Sequence, residues 1–131
     1  MYNKQRVFWA ACIGMLLFGI VMISLGTINT FLAAKLALDE LTIASLAALL
    51  PFGILIGSLV FGPIVDRYGY KIVLISCALL ILIAIEGIAF ASNFFFIQLS
   101  FFLIGFGGGA INGSTNALVA DISAENKGAR L

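Results

Sequence analysis

Two carboxamides four residues apart, Asn112 and Asn116, stand in a stretch that carries no charge from Gly87 to Ala120. Side chains at i and i+4 share a helix face, so the pair forms a polar stripe together with Gly108. A buried carboxamide without partners costs on the order of 1–3 kcal/mol, so such a stripe is aimed at a solute pathway or at a neighbouring helix. Asn29, in an earlier uncharged run, is a weaker candidate for the same role. A second concentration of chemistry is Gly62-Pro63-Ile64-Val65-Asp66-Arg67-Tyr68-Gly69-Tyr70-Lys71, with charges at Asp66, Arg67 and Lys71. Asp66 and Asp121 each end an uncharged run, where a helix C-terminus disfavours an anion by about 0.3–1 kcal/mol. Arg67 is the nearest group able to bind a carboxylate bidentately, so the three are expected to form a charge cluster. Glu86 lies close enough to the end of its run to read as an interfacial carboxylate rather than a coupling group. The chain has no His, and its two Cys, Cys12 and Cys77, sit inside apolar runs, where we infer no disulfide. No nucleophile–base pair or metal cluster can be assembled, so neither an enzyme nor a metal or cofactor is expected, and a coupling ion such as a proton stays open.

The elements that position these residues are membrane spans. Of 131 residues 63% are hydrophobic and only 10% charged, against about 25% charged in a soluble domain. The net charge of +1 offers no basic surface for nucleic acid, and the expected surroundings are membrane lipid. Val7 to Ala34 is uncharged and exceeds the roughly 20 residues that cross a hydrocarbon core. It is too long for a signal-peptide core of about 7–15 residues. Leu41 to Val65 is the second uncharged run, with Pro51 as an expected kink and Gly62-Pro63 as its expected helix end. Gly69 is expected at a positive φ in the loop that follows. The uncharged run from Gly87 to Ala120 would make a helix of about 51 Å, so it must turn within itself, and Ser92-Asn93 is the place for that turn. The reading is an all-α polytopic membrane protein with spans near 7–30, 42–65, 70–91 and 93–120. Gly53 and Gly57 share one face of the second span, and Gly105, Gly109 and Gly113 recur every four residues in the fourth, two small-residue rows for close helix packing.

Lys and Arg set the orientation. Four crossings put Lys4, Arg6, Arg67, Lys71, Lys127 and Arg130 on one side and Lys35 on the other. That bias makes both ends of the chain cytoplasmic. Two patterns are misleading. Gly105-Phe106-Gly107-Gly108-Gly109-Ala110 fits a dinucleotide fingerprint but lies in a membrane span, not in a soluble βαβ unit. Asn112-Gly113-Ser114 has the form of a glycosylation sequon but is equally out of reach in the bilayer.

The pattern Gly62-x-x-x-Asp66-Arg67-x-Gly69-x-Lys71, between two spans, resembles the signature loop of major facilitator superfamily transporters. Ile64 stands where that family often has leucine. The glycine-rich fourth span, ending Asn-Ala-Leu-Val-Ala-Asp and followed by Glu-Asn-Lys-Gly-Ala-Arg, is similar to the sugar, fucose-permease-like branch. The resemblance implies part of an N-terminal six-helix bundle, a small-molecule solute that is a sugar in that branch, and residence in a bacterial inner (plasma) membrane. It implies that helices one and four line the cavity, that the second meets the opposite half and that the third is peripheral. It also implies that the loop Arg pairs with the acidic residue ending the fourth helix, while the loop Asp meets the opposite half. The branch often has Arg four residues before the first glycine of the fourth helix, and here that position is Phe101, so its proton-coupling role does not carry over.

Three function classes follow. The first is a facilitative or secondary active transporter of a small polar solute working by alternating access, of which this chain is an N-terminal piece that needs the remainder of the transporter. The second is a small four-helix multidrug-type transporter acting as a homodimer, but such proteins use a carboxylate in the first helix and Val7 to Ala34 has none. The third is a non-transporting membrane assembly protein, with the Asn stripe as interhelical glue. The Asp66–Lys71 loop favours the first.

Overall fold

The structure is a computed structural model that describes residues 4–91 and 93–128, and the side chains of 8–91 and 93–122. Four helices follow one another: α1 (Lys4–Leu36), α2 (Glu40–Tyr68), α3 (Tyr70–Ala89) and α4 (Phe94–Gly128). All four carry windows apolar enough to cross a membrane. Their large exposed side chains are themselves apolar, such as Ile23, Leu59, Leu79 and Ile83, which suits hydrocarbon and not water. Helix α3, at 20 residues, spans about 30 Å, whereas α1, α2 and α4 exceed the apolar thickness and carry their ends into the headgroup region.

Each turn is short and chemically legible. Helix α1 stops at Ala37, whose φ of 49° is left-handed, and the Leu38 N–H returns to the Ala33 carbonyl at 3.1 Å. That is a Schellman closure without the usual glycine. Asp39 caps α2 in an extended conformation, and the Thr42 hydroxyl donates to its carboxylate. Gly69 alone joins α2 to α3, with φ 79° and ψ 158°, and its N–H bonds the Val65 carbonyl at 2.7 Å. That backbone region is open in practice only to glycine, because a Cβ would be strained there. Between α3 and α4, the Phe90 N–H reaches the Glu86 carbonyl and the Phe96 N–H reaches that of Asn93, both at 3.1 Å. Ser92, Lys4 and Arg6 as side chains, Lys127 as a side chain, and Arg130 lie outside the described part.

One expectation is corrected. Helix α2 does not end at Gly62-Pro63 but runs on to Tyr68, with both Pro51 and Pro63 inside it. A proline removes one donor and keeps a helical φ, whereas leaving the helix within hydrocarbon would strand several backbone groups. The helix therefore ends where charges and Gly69 allow water to take over.

Helix α4 is the hub. Of its apolar window 56% is buried, against 11% for α1, 17% for α2 and 22% for α3. It packs most extensively on α2, next on α3 and least on α1. Helix α3 meets it through Val73, Cys77, Ile81 and Ala84, a buried row at helical spacing. Helix α1 contributes Leu25 and Leu32 to the same core.

Candidate solute-pathway face

Two faces of α4 are built from different residues. The row Gly105, Gly109 meets α2 backbone to backbone. A Cβ on Gly105 would overlap the Leu50 carbonyl oxygen and lie 3.2 Å from the Gly53 Cα. On Gly109 it would overlap the Ile54 carbonyl. From the other side, a Cβ on Gly53 would overlap the Phe102 carbonyl oxygen, and one on Gly57 that of Phe106. The Ser58 hydroxyl adds a hydrogen bond to the Gly109 carbonyl at 3.3 Å across the seam. Gly113 continues the row but meets the Phe61 ring rather than backbone.

Gly108, Asn112 and Asn116 form the next row. The Phe18 ring of α1 fills the space a side chain on Gly108 would take. Since Gly105 and Gly109 point at α2 and Gly108 at α1, helical geometry puts Asn112 between those two directions, with Asn116 one turn further on. Asn112 is half-buried and Asn116 exposed. The Asn116 Nδ2 donates to the Asn112 Oδ1 at 3.3 Å. Among the described residues this one bond leaves both N–H donors of Asn112 and the carbonyl of Asn116 uncommitted.

Asn29 is elsewhere. It sits on the packed face of α1 near Leu25 and Leu32, and its Oδ1 is buried without a partner among the described residues. With Phe18 level with Gly108, Asn29 lies eleven residues toward Ala37 and Asn112 four residues toward Gly69. That separates the two amides by about 22 Å along the bundle at 1.5 Å per residue. A single small solute cannot touch both at once. The hydroxyls of Ser114 and Thr115 are also buried and without partners among the described residues.

At the Gly69 end, Asp66, Arg67 and Lys71 are exposed. The Arg67 guanidinium lies over the ring of its neighbour Tyr68, 5.4 Å from the centroid. Asp121 instead accepts a hydrogen bond from the Tyr70 hydroxyl at 2.6 Å. Two expectations change here. Helix α4 continues to Gly128, so Asp121 stands seven residues inside it, and the macrodipole penalty, which is confined to the last turn, does not apply. Among the described residues no ion pair joins Arg67 to Asp121, and the contact shown to that carboxylate is the Tyr70 phenol on its Oδ2. Tyr70 was not legible as a partner, since it fills an unspecified position of the loop pattern. Glu86 is exposed near the end of α3.

The sequence model of the Major Facilitator Superfamily matches residues 9–131. The chain belongs to the Major Facilitator Superfamily. It is 30% identical over 104 residues to a "Gentisate transporter" of Corynebacterium glutamicum, a match that covers 79% of this chain and 23% of that protein. The chain thus spans about a quarter of the length of the curated relative it matches. No solved structure matches it significantly.

This superfamily is one of integral, multi-pass membrane transporters, not of enzymes, and the four apolar helices fit part of its bundle. Two wide grooves are lined mainly by apolar side chains. One of about 470 Å³ runs between α1 and α3 past Gly14, Leu17, Leu74 and Thr115, and one of about 430 Å³ lies between α2 and α3 past Phe61, Ile72 and Cys77. Such linings suit lipid chains or other helices.

Proposed function

We propose that these helices belong to the N-terminal half of a facilitative or secondary active transporter that moves a small polar solute by alternating access. The supporting observation is the Asn112–Asn116 pair, bonded to itself, uncommitted at its outer donors and acceptor among the described residues, with Asn112 half-buried and Asn116 exposed. In this reading the chain works with further helices of a longer protein. The Gly69 turn and both ends of the chain face the cytoplasm, since six of seven basic residues fall on that side. The membrane is a bacterial inner membrane.

The solute is proposed to be a neutral hydroxylated molecule such as a sugar, as the fucose-permease-like resemblance of the fourth span suggests. Uncharged runs cover 7–34, 41–65 and 87–120, so within these spans the polar side chains are neutral amides and hydroxyls. Amides can both donate to and accept from hydroxyl groups, but they do not offset an anion in a low dielectric. The substrate in the relative's name, gentisate, is an aromatic carboxylate and favours a second reading in which an organic acid is carried and its charge is met by residues outside these four helices. Uptake by the full-length protein in proteoliposomes decides between them. Competition by neutral hexoses and not by aromatic carboxylates supports the first, the reverse supports the second, and no uptake of either class removes both.

A further inference from the structure

Glu86 is the one charged residue of α3 beyond Lys71. Among the described residues its carboxylate has neither an ion pair nor a hydrogen bond. An ionised group on a membrane helix is expensive unless it faces water, headgroups or a partner. Glu86 is exposed and stands three residues before α3 ends at Ala89, about 4.5 Å along the axis. It therefore reaches headgroup level at the end of the bundle away from Gly69. A groove of about 340 Å³ opens beside it, walled by Ile83, Gly87 and Phe90 on one side and by Phe96, Leu99 and Leu103 of α4 on the other. Ile83, Phe90 and Phe96 are exposed by half or more. At Gly87 the two helices leave no room for a side chain, since a Cβ there would lie 2.8 Å from the Ser100 hydroxyl oxygen. From Ile83 to Phe90 the lining runs about 10 Å along the axis, which fits within the roughly 15 Å of one leaflet. Ile83, Glu86 and Phe90 are neighbours at helical spacing, so the carboxylate stands at the rim of the groove.

We propose that this groove is a lipid site selective for an amine headgroup, with one acyl chain along the groove and the headgroup ammonium on Glu86. The charge at the rim selects the occupant. The apolar walls accept a hydrocarbon chain from any lipid, whereas the carboxylate attracts an ammonium, which donates charge-assisted N–H bonds to it. The same carboxylate repels a headgroup that carries a phosphate and no cation. The site requires only that α3 and α4 lie in a membrane, so it stands apart from the solute pathway and from whatever solute is carried.

The probes are phosphatidylethanolamine, whose headgroup carries a primary ammonium, and phosphatidylglycerol, whose headgroup carries none. The full-length protein is delipidated in detergent, offered equal and limiting amounts of both, and its first bound lipid is read by native mass spectrometry. Glu86→Gln keeps the shape of the side chain and removes its charge. The ratio of bound phosphatidylethanolamine to phosphatidylglycerol should fall about fivefold from the wild type to Glu86→Gln, the effect of one favourable exposed ion pair. Ile83→Trp fills the groove from an exposed position and should lower retention of both lipids. An unchanged ratio in Glu86→Gln would overturn the headgroup assignment. Unchanged retention in Ile83→Trp would overturn the groove as the place of the chain and would leave it to another helix of the protein. If Ile83→Trp does not insert, Leu99→Trp fills the groove from α4 and is held to the same two outcomes.

Discussion

The glycine row and the asparagine row of α4 are neighbours on one helix, yet they meet opposite demands. Along Gly105 and Gly109 the helix gives up side chains so that the backbones of α2 and α4 touch, with Gly53 and Gly57 yielding from the other side. Along Asn112 and Asn116 it keeps polar side chains and leaves them half-open. Between helices in a membrane there is no hydrophobic drive, so close packing has to supply the attraction, and small residues supply it. A polar row in the same span is stable only beside water, solute or another polar group. The contrast separates what holds the helices together from what the proposed pathway can use, and it can be broken from either side.

The largest effect is expected at the seam. Gly109→Leu drives a branched side chain into the Ile54 backbone, which cannot rotate away. Overpacking of this kind costs about 3 kcal/mol or more, and the thermal midpoint and the yield of inserted protein should both collapse. Next comes the open row. Asn116→Leu should leave the unfolding free energy within about 1 kcal/mol of the wild type, because the residue is exposed. Uptake should nevertheless fall by about tenfold, the loss of a hydrogen bond or two to solute. A large drop in stability with normal uptake would exchange the roles of the two rows. The smallest effect is expected at Gly113→Ala, where the neighbour is the Phe61 ring and can turn aside. A cost of about 1 kcal/mol is expected there. A cost equal to that of Gly109→Ala would show that the ring is as rigid as backbone.

Much of this was legible in the sequence for physical reasons. Long apolar runs broken by charge or by caps, three of them uncharged over a bilayer's thickness and the third span interrupted by Glu86, point to four helices whatever their packing. Glycines four apart show which face can approach a partner, and Gly69 between charged residues marks the turn that needs a positive φ. What the sequence hid was decided by competition between groups. Pro63 reads as a helix end because it normally is one, but in hydrocarbon the cost of unmade backbone bonds outweighs the one donor it removes. The end of α4 was read too early because the uncharged run stops at Ala120, although the helix continues through polar residues to Gly128. Tyr70 carried no signal at all, since its role depends on how α3 sets its first residue beside Asp121. The distance between Asn29 and the Asn112–Asn116 pair follows from the pairing of Phe18 with Gly108, which no local pattern contains.

The most direct test places single cysteines at Asn112, Asn116, Gly105 and Gly109 in the full-length protein, with Cys12 and Cys77 replaced. Reaction with a small water-soluble thiol reagent is followed in membranes, with and without transported solute. Cysteine at Asn116 and Asn112 should react and be protected by solute, while cysteine at Gly105 and Gly109 should be inert or fail to insert. Inertness at both asparagine positions alongside normal insertion would contradict the assignment of this face to the solute pathway.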